Sequence, residues 1–184
     1  MKILYCEQFL GVYDGKAPVT LLTDSSVSRN HRPLFIPPHH DDWIMTIAPA
    51  VRVSRLGRFV ATKFARRYYD AVTLVARLRP AGLQLPASAV ETAFDSSIVI
   101  GDWIEPGGMC PDTMTLDLTG DIVSTIELDM KVFDSCLSSF SAYFIVRHGD
   151  IIIPGDLPGQ LGVALNTALT IKVDGVPCLV FRIK

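Results

Sequence analysis

Four side chains of the kinds that hold metal ions or move protons stand in a row in the segment FIPPHHDDWIMTIAPAVRV: His39, His40, Asp41 and Asp42. Their spacing argues against joint action. Adjacent residues on an extended chain point to opposite sides, so four in succession do not converge easily on one ion. The two prolines before them mark a solvated surface turn, with a weak adventitious Zn²⁺ or Ni²⁺ site as the alternative and a catalytic site the least expected. Other candidates are dispersed. Cys6, Cys110, Cys136 and Cys178 include no C-x-x-C pair, and no G-x-S-x-G elbow surrounds any serine. Glycines between Gly155 and Gly162 lack the spacing of a phosphate loop. Of the remaining histidines, His31 and His148, the latter precedes Gly149, where a cation suits the end of a helix.

Composition narrows the classes further. The chain has 184 residues, a length that predicts a single domain over 1–184. Net charge is −2 and the pI about 6.0, so no global basic footprint for nucleic acid exists. No charge-free apolar run is long enough for a membrane helix, and the start MKILYCEQFL does not read as an export signal. A cytoplasmic protein with reduced thiols is expected. Hydrophobic residues make up 49% and the mean hydropathy is +0.33. That excess of apolar surface, together with the prevalence of two-fold pairing, predicts a homodimer.

The elements that must position any site are mostly strands. Short runs rich in Val, Ile, Leu and Thr predict strands over Ile44–Ser54, Val72–Leu78, Ser97–Ile104, Thr113–Leu118 and Asp150–Ile153. A final pair, Leu169–Val173 and Cys178–Ile183, is joined at Asp174-Gly175, a strong hairpin signal. Two segments have helical periodicity. One lies near Phe59–Tyr69, with Ala61, Phe64, Ala65 and Tyr68 on one stripe and Arg58, Lys63, Arg66 and Arg67 mostly off it. The other lies near Met130–Val146, with Phe133, Cys136, Leu137, Phe140, Tyr143 and Phe144 as a packing stripe, Asp129 as its cap and Gly149 past its end. The fold class is therefore α+β and strand-dominated, with two short helices.

Several segments carry a resemblance. RLGRFVATKFARRYYDAVTLVARLRPAGLQ joins a conspicuous RLG turn to a helix with a Tyr-rich end and a strand ending in Leu-Gln. AFDSSIVIGDWI, TMTLDLTGDIVSTIE, RHGDIIIPGDLPGQLG and ALTIKVDGVPCLVFRIK follow in order. From about Pro18 onward this succession resembles the fumarylacetoacetate hydrolase family, in its short single-domain bacterial branch. The resemblance implies a mixed β-sheet with a barrel-like core. It also implies a metal-dependent enzyme acting on carbon–carbon bonds beside ketones, or on related keto acids by hydrolysis, decarboxylation or isomerisation, and commonly dimeric. Such enzymes hold Mg²⁺ or Ca²⁺ with two glutamates of a Glu-x-Glu strand and an aspartate on the strand after the helix.

Residue by residue, that machinery is substituted here. Counted back from Arg55-Leu56-Gly57, the two glutamates fall on Thr46 and Ala48. Counted back from Leu83-Gln84, the aspartate falls on Arg77. The family's lysine before Phe-Asp falls on Thr92, leaving Phe94 and Asp95, and its earlier lysine falls near Leu22. The N-terminal loop that brings a His and a Glu is shortened, whereas Gly155 and Gly159 of the closing loop remain. A hard divalent cation needs several charged oxygen ligands, and Arg77 puts a permanent positive charge in their place. At about 4 Å and an effective dielectric near 20, each unit-charge pair is worth roughly 4 kcal/mol. The expectation is therefore a scaffold without a metal cofactor, without catalytic residues, and with a pocket that binds a small anionic keto acid or carboxylate. Candidate ligand-binding residues are Arg77, Arg79, Thr46, Asp95 and Gly155. Arg77 would either grip the anion or pair with a neighbouring acid such as Asp95 and close the pocket. The rival expectations are an active hydrolase, decarboxylase or isomerase with a rebuilt site, and a structural or regulatory interaction module.

Overall fold

A computed structural model describes residues 1–84 and 87–184. Its backbone is the long antiparallel pair β4 (Trp43–Val53) and β5 (Tyr69–Pro80). The pair runs in register from Trp43↔Pro80 to Val53↔Tyr69, with one irregularity at Arg52. Around it a mixed sheet forms in the order β2-β1-β9-β4-β5-β6-β3. The added strands are β1 (Ile3–Cys6), β2 (Val19–Leu22), β3 (Val27–Arg29), β6 (Ile98–Ile100) and β9 (Ile151–Ile153). The short β10 (Leu161–Gly162) pairs with β4 beside this path. A second, antiparallel sheet has the order β12-β11-β7-β8, from β7 (Thr113–Gly120), β8 (Ser124–Asp129), β11 (Ala168–Val173) and β12 (Val176–Arg182).

β4 and β5 read as continuous apolar runs because both their faces are buried. One face carries Met45, Ile47, Val51, Leu74 and Ala76 into a large core shared with the second sheet and with α3 (Lys131–Tyr143). The other face carries Ala48, Ala50 and Val75. Curling of the sheet brings Ile3 and Tyr5 of β1, Leu22, Ile98, and Ile151 and Ile153 of β9 onto it, forming a second, smaller core. Period-two alternation along β1 assigns Leu4 and Cys6 to the large core and Ile3 and Tyr5 to the small one.

The expected strands are present. Asp174-Gly175 forms the β11–β12 turn with φ of 50° and 79°, the positive pair that a type I′ hairpin requires. The helices differ more. Near Phe59–Tyr69 only α1 (Thr62–Ala65) is α-helical, continued by a 3₁₀ turn over Arg66–Tyr68. Of the proposed stripe only Ala65 is buried, so that helix finds too little core to lengthen. An additional turn, α2 (Ala89–Thr92), starts from a capping box in which Ser88 and Glu91 satisfy each other's backbone. In α3, Phe133, Cys136, Leu137 and Phe140 are buried, but Tyr143 is 83% exposed. Asp129 accepts a hydrogen bond from the Lys131 N–H at 3.0 Å, but the residue at the N-cap is Met130, which has no side-chain cap, so Asp129 sits one position before the cap expected of it. α3 ends at Tyr143, so neither His148 nor Gly149 terminates it. Gly149 instead donates to the Val53 carbonyl in the turn leading to β9.

Candidate functional site

At one end of the smaller core the apolar side chains give way to charge. Thr46 on β4 lies directly opposite Arg77 on β5, and both are buried. Arg79, two residues on, shares that face. Glu7 continues the alternation of Ile3 and Tyr5 just past β1 and reaches the same place. Asp156 arrives from the loop after β9. That approach depends on Gly155, whose φ is +147° and where a Cβ would stand 2.7 Å from the Gln8 carbonyl oxygen. The close approach aligns Asp156 with Phe9 in a parallel bridge.

The polar groups pair tightly. Arg77 Nη1 lies 2.7 Å from Glu7 Oε1, although none of its N–H bonds points along that line, so the contact is an ion pair without an aligned hydrogen bond. Arg77 Nη2 donates to the Thr92 carbonyl at 3.3 Å, and the guanidinium lies 4.2 Å above the Tyr5 ring centroid. Thr20 donates to Glu7 Oε1 at 2.5 Å. Arg79 Nη2 donates to Asp156 Oδ2 at 3.0 Å, and its Nη1 is 3.5 Å from Glu7 Oε2. The Tyr5 hydroxyl donates to Asp156 Oδ1. Two arginines thus face two carboxylates. Burial pushes the Asp156 carboxyl above the usual range, against the Tyr5 hydrogen bond and the two arginines, which pull it down. Burial, and then the charge of Asp156, hold the Tyr5 hydroxyl well above the ordinary phenol range.

A cavity of about 610 Å³ opens beside this cluster, lined by Glu7, Phe9, Thr46, Arg79, Asp156 and neighbouring residues. Arg77 is fully buried behind its wall. Among the described residues, three buried polar atoms of the lining have no hydrogen-bond partner: Thr46 Oγ1, Glu7 Oε2 and Arg79 Nε.

The structure therefore brings Thr46, Arg77, Arg79 and Gly155 together, but not Asp95. Asp95 is exposed in the turn between α2 and β6, and the acid that pairs with Arg77 is Glu7. Ala48 lies within the smaller core and offers no donor atom. Thr92 contributes its carbonyl, and Leu22 is core. Glu7, Tyr5 and Asp156 were not singled out from the sequence. For Glu7 a signal existed in the I-x-Y-x-E alternation of residues 3–7, which places it on the Tyr5 face. For Asp156 no local signal exists, because its role depends on a contact with β5 across the fold. His39 and His40 turn their rings to each other and to Trp43, at centroid distances of 5.0, 5.2 and 5.5 Å. Phe94 completes this surface aromatic cluster. The four cysteines are buried free thiols. Cys6 and Cys136 lie 3.8 Å apart in the large core, where their mutual hydrogen bond and burial push the Cys6 thiol up and keep it unreactive.

The fold and its closing loop define a class: the curled strand-rich scaffold of the fumarylacetoacetate hydrolase fold. Three solved structures show the likeness. Fumarylpyruvate hydrolase from Pseudomonas aeruginosa, in complex with Mn²⁺ and pyruvate, is 14% identical with a TM-score of 0.80, over 100% of this chain and 89% of that one. A fumarylacetoacetate hydrolase family protein from Yersinia pestis CO92 is 18% identical with a TM-score of 0.81, over 100% and 92%. The 5-carboxymethyl-2-hydroxymuconate delta-isomerase from Mycobacterium smegmatis is 15% identical with a TM-score of 0.77, over 99% and 78%. No family model and no curated protein matches the sequence.

A divalent metal of the kind this fold can carry does not fit the donor set at these positions. Thr46 supplies one neutral hydroxyl, Ala48 none, and Arg77 a buried cation. The two carboxylates that do reach the cluster each already bear an arginine. A metal would have to displace those pairs and sit against both guanidinium charges.

Proposed function

We propose that this protein is a non-catalytic member of the fumarylacetoacetate hydrolase fold, in which an arginine–carboxylate cluster stands where a metal would be held, and that it binds a small carboxylate or keto acid without turning it over. The observation that carries this reading is Arg77, fully buried opposite Thr46 and paired with Glu7. A guanidinium supplies positive charge and hydrogen bonds, but not the Lewis acidity that polarises a keto oxygen. Arg79, which lines the cavity, is the residue in reach of a ligand carboxylate; Arg77 acts from behind by holding Glu7. The neighbour from Pseudomonas aeruginosa, captured with pyruvate, supports a carboxylate as occupant. We further infer a homodimer, supported by exposed Leu56, Phe59, Phe64 and Tyr143 around α1 and the end of α3. We also infer a cytoplasmic setting, supported by four free thiols. Among the described residues no helix is long and apolar enough to cross a membrane.

The test is a spectrophotometric assay with fumarylpyruvate, with and without Mn²⁺. The expected result is no disappearance of substrate above the protein-free control. Turnover proportional to protein concentration and dependent on Mn²⁺ would overturn the reading.

A further inference from the structure

The charges and unpartnered atoms of this cavity select among small carboxylates. Arg77 and Arg79 are balanced by Glu7 and Asp156. A carboxylate entering an already balanced, largely buried cluster brings one negative charge without compensation, which weakens its binding relative to a carboxylate that carries its own positive charge. A ligand that brings charge of both signs does not. The unpartnered atoms match this requirement. Arg79 Nε can only donate, Glu7 Oε2 in its ionised form can only accept, and Thr46 Oγ1 can do either. Thr46 is 2% exposed, so its hydroxyl has no bulk water to turn to. Leaving such a buried atom unpartnered is destabilising. The positive and negative elements also lie close together, with Arg79 Nη1 3.5 Å from Glu7 Oε2. That separation suits a ligand whose own opposite charges are carried on one carbon atom and its carboxyl group.

We propose that the cavity receives a zwitterionic α-amino acid. Its carboxylate is held by Arg79 and Thr46, its ammonium by Glu7, and its side chain lies toward Phe9 and Leu157, which line the same cavity. The inference rests on the reading of this cavity as a binding site and names its ligand class. The occupant keeps the cluster neutral and offers hydrogen-bond partners to Arg79, Thr46 and Glu7, which line the cavity. The keto acid of the same skeleton has the carboxylate but no ammonium, and the corresponding amine has the ammonium but no carboxylate.

Calorimetric titration of the native protein tests this with L-alanine, L-leucine and L-phenylalanine, each beside its 2-keto acid and its decarboxylated amine. At least one amino acid is expected to bind about tenfold or more tightly than both its partners, a difference of about 1.4 kcal/mol. Thr46→Val, which removes the hydroxyl and leaves the four charges in place, is expected to weaken that binding about fivefold or more with no fall in Tm. Keto acids that bind as tightly as the amino acids would overturn the proposal while leaving the cavity a carboxylate site. Absence of binding by all three amino acids at millimolar concentration would overturn it too. An unweakened Thr46→Val variant would remove Thr46 from the site and contradict the arrangement. Mn²⁺-dependent turnover would instead defeat the underlying non-catalytic reading.

Discussion

Arg77 is the residue on which the site depends, and its setting makes a stability prediction. A buried ion pair contributes little compared with apolar side chains of the same shape, but breaking it from one side strands a charge. Arg77→Met should therefore destabilise by about 3–5 kcal/mol, since it leaves Glu7 buried with only Thr20 and the more distant Arg79. Adding Glu7→Gln should recover part of that loss, so chemical denaturation of the two single variants and the double variant should be clearly non-additive. Additive losses would mean that the pair is not coupled. The resemblance in the sequence points to Thr46, Ala48 and Arg77 as counterparts of metal-ligand positions, because they belong to long strands whose turns are conspicuous. It does not disclose the partner acid. Asp95 is near in the chain but exposed; Glu7, seventy residues from Arg77, is brought to it by strand order alone. Only the small-core phase of β1 hinted at this.

At the scale of elements, the β4–β5 pair and the loop after β9 set the geometry together. Gly155 lets residues 154–157 run against residues 8–10, and a side chain at φ +147° would meet the Gln8 backbone. Gly155→Ala should cost about 1–3 kcal/mol and lower ligand affinity, because Asp156 and the Gln8–Phe9 wall shift together; thermal unfolding and titration of one sample check both effects. Long strands and the Asp174-Gly175 hairpin were readable because apolar runs and turn chemistry are local. The short α1 was overestimated, since its 3.6-residue pattern has almost no core to cover: Phe64 stays 43% exposed. The capping box before α2 was present in the sequence, but one turn of helix has too little periodicity to register. The end of α3 was placed too late because Tyr143 extends the apolar stripe while facing solvent.

Across the whole molecule, two cores on opposite faces of one curled sheet account for the high apolar content. Leu56 and Tyr143 remain 71% and 83% exposed, and the proposed pairing would cover them. Light scattering at micromolar concentration should give the mass of a dimer, and Tyr143→Glu should shift it toward the monomer; a monomer mass for the native protein would contradict the pairing. The central claim, however, is that arginine and carboxylate replace a metal. Titration with Mn²⁺, followed by the melting temperature, tests it most directly, because any ligand that binds only the folded state raises Tm. The account predicts no rise up to millimolar Mn²⁺. A saturable rise at micromolar Mn²⁺, abolished by Thr46→Ala, would contradict it.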